Sequence, residues 1–220
     1  YSSAASDVYK RQMMVFARYV MFSEVYWHHA VRAATAMLQR AFYLLHPHLD
    51  VDALFRLTEQ PMIDALRKAA GDGPSAELLD GLFGPSRRLY KRVAQCRLFQ
   101  EPALYERLAR RPYPWLVRCA EQFAGLASRA LGRVVAPHEI LFDAPPIELE
   151  VEFQIEVFFP KEGRYRQLGD VSPVVKTLAK QQFDDYVKRV RLFAHPRLAA
   201  DLRTLPGLTD LLAEAVDLAT

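Results

Sequence analysis

From Met13 to about Leu45 the chain carries apolar residues at helical spacing, from Val15, Tyr19, Phe22 and Tyr26 through Ala30, Ala33, Met37, Ala41 and Leu44. Alanine-rich filler separates them, and neither glycine nor proline interrupts the run. A strand would alternate with a period of two, so this stretch commits the chain to one long helix, or to two with a bend near Trp27. It is not a membrane span, because its most apolar part, Met13 to Val25, is broken by Arg18, Ser23 and Glu24. With 220 residues, 51% hydrophobic and 25% charged, the rest of the chain has enough apolar material for one globular domain or two small ones. The 29 basic and 26 acidic side chains are too evenly balanced to announce a nucleic-acid partner. Cys96 and Cys119, with no C-x-x-C pair, build neither a disulfide framework nor a cysteine zinc site, and fit a reducing cytoplasm.

Local punctuation divides the chain beyond Leu45. His46-Pro47-His48 stops the long helix, since proline disfavours helix in the residue before it. Asp50 and Thr58 are read as caps of the next two helices, the second tolerating Pro61 in its first turn and reaching about Ala70. Gly71-Asp-Gly-Pro74 breaks the chain, and Ser75 is read as the cap of a helix reaching Phe83. Residues 13–84 are therefore expected as a helical unit.

After Gly84-Pro85 the pattern changes. Arg88 to Cys96 is read as a strand, and Glu101 to Arg110 and Pro114 to Leu131 as helices, the latter ended by Gly132. From Glu148 to Val157 every odd position is apolar and every even one polar, which demands a sheet with one wet face. Ile140 to Phe142 is its expected neighbour. Ser172-Pro173 opens a helix towards Tyr186, Val187 to Phe193 reads as a last strand, and helices over about 197–204 and 208–218 complete the chain. The fold class is mainly α, with a small α+β C-terminal part over 85–220 in which helices accompany a small antiparallel sheet.

Residues 1–12 stand apart, with no apolar signal core and an abrupt change of composition at Met13. The string Ser6-Asp-Val-Tyr-Lys-Arg-Gln12 resembles the translation of a sequencing-adapter end. Residues 1–12 are accordingly expected to be a non-native tail, and the chain is expected to be the rear part of a longer protein.

Chemistry concentrates on the long helix. At 100° per residue Arg18, Val25, His29 and Arg32 fall within a stripe about 60° wide, with Tyr26 and His28 on its flanks. Such a face suits a polyphosphate, because arginine offers a two-pronged donor and a tyrosine hydroxyl meets a sugar oxygen. Solvated surface arginines and packed histidines are the alternative. No G-x-x-x-x-G-K phosphate loop is present.

The stretch Ala17-Arg18-Tyr-Val-Met-Phe-Ser-Glu-Val-Tyr26-Trp-His28-His-Ala-Val-Arg32 resembles the segment that follows the metal-binding core of HD-superfamily phosphohydrolases, in their deoxynucleotide triphosphohydrolase-like branch. Arg87-Arg-Leu-Tyr-Lys91, Ile140-Leu-Phe-Asp143-Ala-Pro, Ser172-Pro-Val-Val and Arg189-Val-Arg191-Leu-Phe-Ala-His195-Pro come next in the same order. The resemblance spans roughly residues 13–200. It implies a helical HD-type unit over 13–84, a regulatory or assembly region over 85–220, and a cytoplasmic, oligomeric, metal-dependent enzyme acting on nucleotide triphosphates or related phosphate esters. It implies that Arg18 grips substrate phosphates and Tyr26 contacts the sugar, with His28 matching a family histidine of unassigned role. Arg87 and Lys91 match positions that hold an effector nucleotide in regulated members, and on one strand the two would share a face.

One departure weighs heavily. The family's defining site uses a histidine, a His-Asp pair and a distant aspartate to hold a divalent cation. No His-Asp dipeptide occurs here. The expectation is therefore that the metal ligands lie in the parent protein upstream, and that this chain has no catalytic or metal-ligating residue of its own. The rival reading is a non-catalytic nucleotide- or nucleic-acid-binding module with a basic surface of Arg87, Arg88, Lys91, Arg92, Lys188, Arg189 and Arg191.

Overall fold

The structure is a computed structural model that describes residues 4–145, 155–177 and 187–219. Helix α1 runs Ala4–Met21 and passes into a π-helical turn, Phe22–Tyr26. The turn ends at Trp27, and His28 is extended at φ −60° and ψ 137°. Helix α2, His29–Leu45, starts afresh there, with the Ala30 N–H donating to His28 Nδ1 at 3.3 Å. The long apolar run is thus two helices bent at Trp27–His28. Residues 4–12, expected to be a tail, belong to α1. Gln12 donates to the Ser172 hydroxyl at 2.7 Å, and Arg11 to the Glu156 carbonyl at 2.6 Å.

Helices α3 (Val51–Leu54), α4 (Glu59–Ala70) and α5 (Pro74–Phe83) complete the helical unit. Asp50 caps α3 by accepting the Ala53 N–H at 3.0 Å. Two expected caps differ. Thr58 occupies the N-cap position of α4 but its side chain makes no cap bond. Pro74, not Ser75, opens α5, because its fixed φ and missing N–H suit the first helical position, and Ser75 is buried inside the helix. Ala33, Met37 and Ala41 of α2 meet Leu66 of α4 and Leu78, Leu79 and Leu82 of α5 in one core.

Strand β1 (Lys91–Cys96) is shorter than its apolar pattern implied, beginning three residues after Arg88. Helices α6 (Pro102–Leu108) and α7 (Tyr113–Leu131) come next, and Gly132 ends α7 at φ 65°, a left-handed conformation natural only to glycine. Strand β2 is Ile140–Asp143, β3 Glu156–Phe159 and β4 Arg164–Gln167. Short helices α8 (Leu168–Val171) and α9 (Pro173–Thr177) precede β5 (Val190–Ala194), α10 (Pro196–Thr204) and α11 (Leu208–Leu218). Ser172 caps α9 as expected, its hydroxyl accepting the Val175 N–H.

Strand β2 pairs with β5, which lies between β1 and β2 with both neighbours antiparallel. Strand β3 pairs with β4 in a hairpin turned at Gly163. The alternating strand expected over 148–157 is described only from 155, so most of it lies outside the described residues, as does the end of the helix expected to reach Tyr186.

The central sheet separates two cores. Ile140, Phe142, Val190, Leu192 and Ala194 face α6, α7, α10 and α11, whereas Leu141 and Phe193 face α2 and α5. Because neighbours on a strand point to opposite faces, Asp143 and Arg191 share the α2 side with Leu141 and Phe193. A third, smaller cluster joins Val15 of α1 to Val157, Leu168 and Val175.

Candidate functional site

Asp143 and Arg191 are directly opposed in the β2–β5 register. Both are buried, and Arg191 Nη1 lies 3.6 Å from an Asp143 oxygen. Arg32, one turn into α2, forks the same carboxylate through Nε at 3.0 and 3.1 Å and through Nη2. Both guanidiniums also lie against Trp27, with Arg32 Cζ 4.6 Å and Arg191 Cζ 5.6 Å from its ring centre. Arg191 Nη2 donates to the Trp27 carbonyl at 2.6 Å. The bend between α1 and α2 is thus pinned by a buried charge network of one carboxylate, two arginines and the indole they contact. Burial pushes the Arg191 guanidinium down to about 10, against the pull of Asp143 and with repulsion from Arg189, Arg32 and Arg92.

This network decides what the bend presents. Tyr26 and His28, on either side of buried Trp27, are exposed. Arg18 is exposed too, its Cζ 5.9 Å from the Phe22 ring centre, and that ring in turn lies 5.1 Å from Tyr26. The cationic stripe expected of Arg18, His29 and Arg32 does not form, because the π turn and the extended His28 reset the helical phase and Asp143 draws Arg32 inward. Arg18 and Tyr26 stay together on the first helical segment, and His28 begins the second.

Next to His28, His29 forms the wall of a basic cleft of about 350 Å³ with Lys91, Arg92 and Arg203. Among the described residues no carboxylate lines it. Arg203 is fixed by two donations to the Arg92 carbonyl at 2.9 and 2.7 Å, and Arg92 by one to Gln95 at 2.9 Å. His29 sits below the ordinary histidine value, through burial first and then through the charges of His28, Arg92, Arg191 and Lys91. A site that disfavours one more proton favours an anion.

Arg87 and Lys91 are not brought together. Strand β1 begins only at Lys91, and Arg87 lines a separate concavity of about 270 Å³ with Gln60, Arg67 and Phe83. The basic surface is also smaller than its sequence implied, since Lys188 and Arg191 are buried.

A second polar cluster joins distant segments. Glu77 of α5 contacts His138 Nε2 at 2.8 Å and His195 Nε2 at 3.2 Å, while Glu139 is forked by Arg197 and accepts the Ala136 N–H at 2.9 Å. Glu77, Glu139 and His195 bring ligand-type atoms within 4.8 Å of one another. Protein donors already occupy those atoms, and His195 Nδ1 accepts the Arg197 N–H as the cap of α10. The set therefore does not fit the His, His-Asp, Asp pattern of a divalent-metal site. Cys96 and Cys119 are buried free thiols, pushed up to about 12 by desolvation, which makes them packing residues and not nucleophiles.

Sequence reasoning does not single out Asp143 and Arg191 as a buried pair. A signal for it exists: a charged side chain within the otherwise apolar run Val190-Arg-Leu-Phe-Ala194 is tolerated only beside a partner.

Residues 5–202 match the sequence profile of the family described as HD associated region. The fold is similar to the crystal structure of a hypothetical protein from Aquifex aeolicus, with 20% sequence identity and a TM-score of 0.52. That similarity covers 90% of this chain and 45% of the other, so this chain spans less than half the length of that relative. No curated protein matches the chain.

Proposed function

Since the chain belongs to the HD associated region family, we propose that it is the C-terminal part of a metal-dependent HD-type phosphohydrolase acting on nucleotide triphosphates or related phosphate esters, in the deoxynucleotide triphosphohydrolase-like branch. The observation that carries the reading is the cleft of His29, Lys91, Arg92 and Arg203, which among the described residues has no acidic lining and adjoins exposed His28. Four nitrogen-rich side chains around one concavity suit a polyphosphate, because clustered cations gain most from an anion carrying several charges at close spacing. In this reading Arg18 holds substrate phosphates, Tyr26 meets the sugar, and Lys91, of the expected pair Arg87 and Lys91, is the one that serves an effector nucleotide at the cleft. Arg87 then has no direct part in the same cleft.

A divalent metal would supply the activated water, held by ligands outside the described residues. This chain's share is to bind and orient: the Trp27 network fixes the bend, and the bend fixes Tyr26 relative to His28. The exposed apolar side chains of α1, among them Met13, Met14, Phe16 and Met21, support assembly with further copies or with the rest of the parent protein. No helix among the described residues is long and apolar enough to cross a membrane, and a cytoplasmic location is part of the proposal.

The test is hydrolysis by the full-length protein with divalent metal. Arg18→Ala should cut turnover of nucleotide triphosphates severely; normal turnover refutes its role. Salt-sensitive binding of nucleotides without any phosphate release would favour the second reading, a non-catalytic nucleotide- or nucleic-acid-binding module, for which the same cleft is the supporting feature.

A further inference from the structure

On the other side of the start of α2 from the basic cleft lies a larger cavity, about 780 Å³, between α2, α4, the start of α7 and the end of β2. Its volume falls among those of small-molecule sites, roughly 300–1,000 Å³. Phe42, Leu66, Leu116 and Phe142 give it apolar walls, and Phe55 stands at its edge with 72% of its surface exposed. Among the described residues its only charged lining side chains are Arg32 and Arg111, and no carboxylate of theirs lines it.

The positive character extends behind the wall. Behind Tyr113, which lines the cavity, stands Arg40 of α2, whose charge acts to lower the Tyr113 hydroxyl that burial raises. Arg40 is 2% exposed, its Nε has no acceptor, and no carboxylate pairs with it among the described residues. A buried arginine without a counter-ion is costly, and an anion nearby offsets that cost. Arg32 is already forked by Asp143, so Arg111 is the better-placed anchor. Its Nε donates to the Arg107 carbonyl at 2.9 Å and its Cζ lies 5.0 Å from the Trp115 ring centre, which hold the guanidinium in place.

We propose that this cavity binds a small aromatic anion, its ring system against Phe42, Phe55 and Phe142 and its acidic group on Arg111. The occupant is set by charge and shape together: an aliphatic anion would use the charge but leave the aromatic walls without stacking partners, and a neutral aromatic would leave Arg111 unused. The assignment stands apart from the proposed polyphosphate cleft, since His29 lines one concavity and Arg32 the other.

The test uses the full chain and two dyes of nearly the same skeleton, 8-anilinonaphthalene-1-sulfonate and its uncharged parent N-phenyl-1-naphthylamine, titrated by fluorescence. The sulfonate should saturate one site per chain, and inorganic tripolyphosphate should not displace it. Arg111→Gln should weaken the sulfonate about tenfold and leave the neutral dye unchanged, the scale of one lost charge-assisted hydrogen bond. Thr35→Trp, from an exposed position on the cavity rim, should abolish binding of both, whereas Met14→Lys on the exposed face of α1 should affect neither. Far-ultraviolet circular dichroism checks that each variant folds, and Arg111, being exposed, carries the test should Thr35→Trp not fold. Absence of sulfonate binding, equal affinity in Arg111→Gln, or loss of signal in Met14→Lys overturns the proposal.

Discussion

Replacing Asp143 by Asn keeps the shape of the side chain and removes its charge, which makes it a direct test of the network under Trp27. The carboxylate is 2% exposed and serves Arg191, 1% exposed, at 3.6 Å, together with Arg32, 17% exposed. At that separation and an effective dielectric constant of about 20, one such attraction is worth about 5 kcal/mol. The burial cost of both arginines remains in the variant, because an arginine side chain keeps its charge at neutral pH. Breaking a buried pair costs about 3–5 kcal/mol. The Asn oxygen still accepts one N–H, but its amide nitrogen faces a donor, so the loss should lie near the lower end, about 3 kcal/mol. Against a total stability of about 5–15 kcal/mol this is readily measured by guanidinium unfolding followed through tryptophan emission. Adding Arg191→Met should restore part of the loss, since one unpaired buried cation is then gone. A loss below about 1 kcal/mol in Asp143→Asn would show that the network is not what holds the bend.

Three further outcomes are expected. A Cβ at Gly84 would stand 2.4 Å from the Asp80 carbonyl oxygen, and since its φ of −70° suits any residue the penalty is steric; Gly84→Ala should lower stability by about 1–3 kcal/mol, and an unchanged midpoint would contradict this. Burial alone would raise the Glu139 carboxyl, but the Arg197 fork, the Ala136 N–H and His195 outweigh it and hold the group below the ordinary carboxylate value. A group lowered on folding gives stability that is complete above its ordinary value of 4.5 and lost as pH falls through its folded value, so Glu139→Gln should flatten the fall of Tm in that acid range; parallel Tm curves for the two proteins would count against it. At the basic cleft a bound anion should raise the lowered His29, so calorimetry should find tripolyphosphate binding tighter as pH drops from about 7.5 to about 5.5, and His29→Gln should remove most of that dependence. An identical pH profile in the variant would detach His29 from the site.

What the sequence determined by itself is what neighbouring residues settle among themselves. Helical spacing from Met13 to Leu45, the stop at His46-Pro47, the cap at Asp50, the glycine after Leu131 and the Ser172-Pro173 opening all act within a turn or two of chain, and all reappear in the structure. The family resemblance also rests on local blocks in a fixed order, and the match over residues 5–202 agrees with it at the level of the HD associated region. Only the tertiary structure decided the partners. Seating β5 between β1 and β2 depends on closing long loops, whose cost local pattern does not encode. That one choice sets Asp143 against Arg191, draws Arg32 away from Arg18, parts Arg87 from Lys91, and gathers Glu77, Glu139 and His195 from three distant segments. Charged side chains take their direction from whichever counter-charge the fold delivers, and that counter-charge here lies more than a hundred residues further along the chain from Arg32.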